Sequence, residues 1–195
     1  MPDPAHAVAF HRIGWAIASL AAAAAALFIA AHHPLWPLAL SALLAVWAVL
    51  AYRWPRAWLL ALPALLPGLN FAPWTGWIGV DELDLFILAT VAAGYAGFAK
   101  SAGPRPMPLS GPGRLAVMGV LALTLSGLWR GVTDAGGWHF GWFQGYTEPL
   151  NSLRVAKSAI HALLLLPLLR REWLVDRERA FTLFEIGRAS CRERV

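Results

Sequence analysis

Nineteen consecutive residues without a charge, 13–31, open the apolar part of this chain. A run of that length is enough to cross a hydrocarbon core of about 30 Å as an α-helix. Five further apolar stretches follow at 35–51, 57–73, 83–99, 115–129 and 150–169. The expectation is an all-α fold, a polytopic transmembrane helix bundle of about six spans within residues 1–184, with the start of a seventh span at 180–184. A secretory signal peptide is the rival reading of the first run. The run exceeds the usual apolar region of about 7 to 15 residues, and His32-His33-Pro34 is a poor cleavage site, so an uncleaved anchor is expected.

Composition agrees with lipid as the solvent. The chain is 58% hydrophobic and 14% charged, with 11 Trp among its 195 residues, against about 25% charged in soluble domains. The net charge of +5 would raise nucleic acid as a partner in a soluble chain. Here the basic residues alternate with apolar stretches instead of forming one stripe, so no nucleic acid is expected and the charge sets membrane orientation. Arg12, Arg53, Arg56, Lys100, Arg105, Arg114, Arg170, Arg171, Arg177 and Arg179 fall on one side of the expected topology, and Arg130, Arg154 and Lys157 on the other. By the positive-inside bias the N-terminus is cytoplasmic and the 129–152 loop exterior, which in a bacterial inner membrane means the periplasm. Trp36, Trp54, Trp58, Trp74, Trp77, Trp129 and Trp173 fall near the expected interfaces, as aromatic belts do.

Residues 185–195, EIGRASCRERV, read as the conceptual translation of a sequencing-library adapter and are set apart from the fold. Without them the net charge is +4 and Cys191, the only cysteine, is gone. No disulfide, thiolate metal site or cysteine nucleophile is then expected. Native sequence is expected to continue past Phe184, making the chain an N-terminal fragment.

The polar chemistry concentrates after Trp129. From Ser158 to Leu169 the uncharged run is only 12 residues, about 18 Å at 1.5 Å per residue, too short to span alone. If this helix crosses, Arg154 and Lys157 lie at membrane depth, where ionisable groups are costly and mark functional sites by default. Asn151, Arg154, Ser158 and His161 recur at spacings of three, four and three with Lys157 beside them, which places them on one helical face. Such a face can receive an anion, and two cations there can hold a phosphate or pyrophosphate. The plain alternative is that Arg154 and Lys157 snorkel to headgroups while His161 bonds a neighbouring helix.

Elsewhere the signals are weaker. The loop before that helix carries Arg130, Asp134, His139 and Glu148 among glycines and aromatics including Trp138, Trp142 and Tyr146. It suits a sugar or headgroup contact or simply interfacial anchoring, and the pattern selects no catalytic base. Asp81, Glu82 and Asp84 are read as an exposed acidic helix start facing the N-terminal dipole, with cation binding as the lesser alternative. Pro63 and Pro67 are expected to kink their span, and Ala89, Ala93 and Gly97 form a small-residue ridge that admits another helix closely. No Walker loop, dinucleotide fingerprint, nucleophile elbow or zinc-ligand pattern is present, so no cofactor and no metal is expected.

The segments LPALLPGLNFAPWTGWIGVDELDLFILA and EPLNSLRVAKSAIHALLLLPLLRR resemble the N-terminal halves of bacterial O-antigen ligases and polymerases, over roughly residues 57–184. The resemblance implies an inner-membrane glycosyltransferase that moves a glycan from an undecaprenyl-pyrophosphate carrier at the periplasmic face. The family's catalytic residues would lie beyond Phe184. Within this chain Arg130, Asn151, Arg154, Lys157 and His161 are the pyrophosphate-binding candidates, with the lipid bilayer and the lipid-linked glycan as partners. A transporter or flippase, and a noncatalytic membrane scaffold, are the alternatives from other classes.

Overall fold

The computed structural model describes residues 4–33, 36–70, 81–100, 109–137 and 151–192. These form seven helices: α1 (Pro4–Ala31), α2 (Pro37–Arg53), α3 (Ala57–Asn70), α4 (Glu82–Lys100), α5 (Gly111–Asp134), α6 (Asn151–Val175) and α7 (Arg177–Arg192). The fold is all-α among the described residues. Four helical stretches are long and apolar enough to cross a membrane, Phe10–Ala31, Glu82–Lys100, Gly111–Asp134 and Asn151–Val175. The six spans expected from sequence are therefore not all present as long helices. The 17 residues of α2 and 14 of α3 reach only about 26 and 21 Å at the helical rise. Residues 71–73, the end of the expected third span, lie outside the described residues.

Helix ends follow local chemistry. Pro37 sits in the first turn of α2, where its missing N–H costs nothing. Ser110 accepts from the Gly113 amide at 3.3 Å to start α5. The Asp176 carboxylate accepts the Arg179 amide at 3.1 Å and starts α7, so residues 180–184 belong to a helix carrying several arginines. On α6 the helix does not stop at Arg170 and Arg171 but continues to Val175, which lengthens it to about 37 Å. The expected short span is a full-length one with charges at both ends.

The bundle is built on α4, which buries most of its length. Between lipid-exposed helices the hydrophobic effect supplies no attraction, so close packing and interhelical hydrogen bonds hold the contact. Along α1, Ala22, Ala26 and Ala30 recur every fourth residue and are buried. The Ser19 hydroxyl donates to the Ala92 carbonyl of α4 at 2.7 Å. Trp15 meets Tyr95 edge-on at 4.8 Å and Phe98 at 5.0 Å. The small-residue ridge is used in part as expected: Ala89 and Ala93 are buried, Ala89 in a cluster with Ala30 and Leu44, while Gly97 faces the Arg171 guanidinium.

On the other side of α4, Trp47 of α2 stacks on Phe86 at 4.3 Å. Its indole N–H donates to the Thr90 hydroxyl at 2.8 Å, and Thr90 in turn donates to the Phe86 carbonyl. A Cβ at Gly94 would fall on the Leu168 side chain of α6, so α4 and α6 approach closely there. Tyr95 donates to the Leu164 carbonyl of α6 at 2.7 Å, in the turn that Pro167 weakens by lacking an amide proton. Interhelical bonds of this kind are worth about 0.6 kcal/mol each in membranes, so they orient the helices more than they bind them. Among the described residues α5 touches only α6, and Leu115, Met118, Leu125 and Trp129 face outward from it.

Candidate functional site: the acidic cap of α4 and the α5/α6 cleft

Asp81 precedes α4 and Asp84 lies in its first turn. The Asp81 amide donates to Asp84 Oδ2 at 2.8 Å, and the Asp84 amide to Asp81 Oδ1 at 3.0 Å. This reciprocal pair is a capping box with aspartate in the role usually taken by glutamate. The arrangement spends one oxygen of each carboxylate on the helix end and aims the carboxylates toward α6. There Lys157 Nζ donates to Asp81 Oδ2 at 2.7 Å and to Asp84 Oδ2 at 2.9 Å. One turn on, His161 Nε2 lies 3.5 Å from Asp84 Oδ1.

The expectation of an exposed acidic start is corrected by this geometry. Asp84 is only 4% exposed, and the cluster is an interhelical ion-pair site as well as a helix cap. The dipole argument holds for its position, but the burial comes from packing against α6, which a local pattern does not carry. Glu82 turns the other way, toward the α1/α2 corner, where its Oε1 lies 3.6 Å from His33 Nε2. The Trp36 amide donates to His33 Nδ1 at 3.2 Å, which orients the ring with Nε2 toward the Glu82 carboxylate. Among the described residues no group of three metal-binding side chains is assembled.

The polar face of α6 divides. At 100° per residue, its arc from Lys157 round to Asn151 is about 120° wide, and its two edges meet different neighbours. Lys157 and His161 face α4. Ser158 is exposed. Asn151 lies at the other edge, where its Oδ1 accepts from Arg154 Nε at 3.1 Å and where it lines a cleft of about 810 Å³ between α5 and α6. Leu123, Leu128, Val155 and Ala159 form apolar wall, and Asp134, Asn151 and Ser152 the polar end. The two helices meet at Gly131, where a Cβ would fall on Ser152. Arg130 stands exposed beside that contact. His139, Glu148, Trp138, Trp142 and Tyr146 lie outside the described residues, as do Trp74, Trp77 and Arg105.

A second charged cluster lies at the far end of α6 and was not singled out from sequence. Glu172 is 5% exposed. Its Oε2 accepts from Arg56 Nε at 2.8 Å, and its Oε1 lies 3.9 Å from Arg171 Nε. The Arg171 guanidinium also lies over the Phe98 ring at 5.3 Å. The available signal was a glutamate directly after two arginines, in a stretch where four arginines alternate with Glu172, Asp176 and Glu178.

Comparison with protein-family models, curated proteins and solved structures finds no match for this chain. The chain is assigned to no family.

Proposed function

We propose that the chain is the N-terminal membrane portion of a bacterial cell-surface glycan ligase or polymerase, an inner-membrane enzyme taking its glycan from a lipid pyrophosphate. The observation that supports this best is the α5/α6 cleft: an apolar trough ending in Asp134, Asn151 and Ser152, with Arg154 bonded to Asn151 and the exposed Arg130 next in sequence to Gly131 of the lining. A lipid-linked anion needs this combination, an apolar run for the carrier and cations where charge develops on the departing pyrophosphate. Lys157 is a weaker ligand than its sequence position suggests, because two carboxylates already hold its ammonium. Six spans with a cytoplasmic N-terminus remain part of this proposal, α2 and α3 crossing with help from flanking residues and local bilayer thinning.

The test is Arg130→Gln with Arg154→Gln in a complete reading frame, assayed for glycan transfer in cells and for membrane insertion by fractionation. Transfer should fall by about two orders of magnitude, the scale of losing charge stabilisation in a dry site, with insertion unchanged. Normal transfer would remove these arginines from the donor site. A transporter or flippase is favoured by a different observation, the Asp81, Asp84, Lys157 and His161 cluster joining two candidate spans, since such intramembrane charges line ion and proton pathways. Movement of a lipid-linked glycan in vesicles without covalent transfer would decide for it.

A further inference from the structure

Arg170 and Arg171 are neighbours with opposite fates. Arg171 turns inward to Glu172, Gly97 and Phe98. Arg170 turns to the other face of α6 and has no hydrogen-bond or ion-pair partner among the described residues. It is half-buried in a cleft of about 350 Å³ that it lines with Leu169, Trp173 and Leu174. One turn further, the exposed Arg177 holds its guanidinium 5.1 Å above the Trp173 ring. A half-buried guanidinium set among leucines, with a second one flanking the same tryptophan, lacks only an anion.

We propose that this face binds an anionic phospholipid, its phosphate diester held between Arg170 and Arg177, its glycerol level with Trp173, and an acyl chain lying along Leu169 and Leu174. Several features select a lipid over a free phosphate. Arg170 is set among apolar side chains, Trp173 is the residue type that settles at headgroup depth, and Arg170 lies five residues from the end of a helix about 37 Å long, at the level where headgroups begin. Basic clefts beside helix ends are a recurring headgroup seat, each arginine near an anionic surface contributing about fivefold in affinity. The site stands apart from the α5/α6 cleft and from the glycan reading, requiring only that α6 cross the bilayer.

The purified 195-residue chain in detergent, titrated with phosphatidylglycerol or phosphatidylcholine of identical acyl chains and examined by native mass spectrometry, tests the proposal. Phosphatidylglycerol should be retained over phosphatidylcholine by about 25-fold, about fivefold from each arginine. Arg170→Gln and Arg177→Gln should each reduce that preference about fivefold, Arg170→Lys should reduce it less, and millimolar inorganic phosphate should not displace the lipid. Arg114→Gln, at the start of α5, is the control and should change nothing. Equal retention of the two lipids, an undiminished preference in Arg170→Gln of wild-type helicity, an equal loss in Arg114→Gln, or full displacement by inorganic phosphate would each overturn the site.

Discussion

Lys157→Met is the sharpest perturbation of the bundle, because one ammonium satisfies two carboxylates at once. With Lys157 gone, Asp84, whose side chain is 6% exposed, and Asp81, at 23%, keep the capping amides of α4, and Asp84 also the His161 ring 3.5 Å away. Removing one partner of a buried pair costs about 3–5 kcal/mol, most of it the penalty of the charge left behind. Partial exposure of Asp81 and Lys157 places the expected value at the low end, about 3 kcal/mol, a change of about two orders of magnitude in the folded-to-unfolded ratio. The assay is unfolding from mixed micelles by increasing dodecyl sulfate, followed by circular dichroism. The informative variant is Lys157→Met with Asp81→Asn and Asp84→Asn, which removes the stranded charges and should recover at least half of the lost stability. If Lys157→Met unfolds within about 0.5 kcal/mol of wild type, the level of a change in an exposed pair, or if the triple variant is no better than the single, the cluster does not hold α4 to α6.

Other outcomes follow from particular contacts. Gly94→Ala should destabilise by about 1–3 kcal/mol by driving a methyl into Leu168, and Leu168→Ala should relieve part of that loss in the same micelle assay. Glu172→Ala should cost about 1–3 kcal/mol by removing the close partner of Arg56, which keeps only the Asp176 carboxylate 3.9 Å away, whereas Asp176→Ala, whose carboxylate is 40% exposed, should cost under about 1 kcal/mol. In a Cys191→Ser background, Gly136→Cys after α5 should react with a membrane-impermeant maleimide on intact cells, and a cysteine replacing Arg177 should react only after lysis. The reverse pattern would invert the proposed topology.

Helix existence was legible because it depends on local runs. The stretches 13–31, 83–99 and 115–129 fall inside α1, α4 and α5 in turn, and apolar length, interrupted by a charge only at Asp84, is all that is needed to see them. Lengths were less legible. The uncharged run of α6 ends at Leu169, but its helix continues to Val175 because Glu172 finds Arg56 from the α2/α3 corner, a partner 116 residues away in sequence. The capping box was spelled out in Asp81 and Asp84, three residues apart, yet its burial depends on Lys157 arriving from α6. The common face of Asn151, Arg154 and His161 was legible from spacing. Its division between α4 and the α5/α6 cleft was not, because spacing gives the angle of a side chain around its own helix and says nothing of which neighbour occupies that angle.

The distance in sequence between Asp84 and Lys157 also sets a timetable. A ribosome making about 5–20 residues per second needs about 4–15 s to cover the 73 residues between them. Throughout that interval the Asp81 and Asp84 carboxylates have the amides of their own helix start but not the Lys157 ammonium, so the charged contact that ties α4 to α6 is a late one in synthesis.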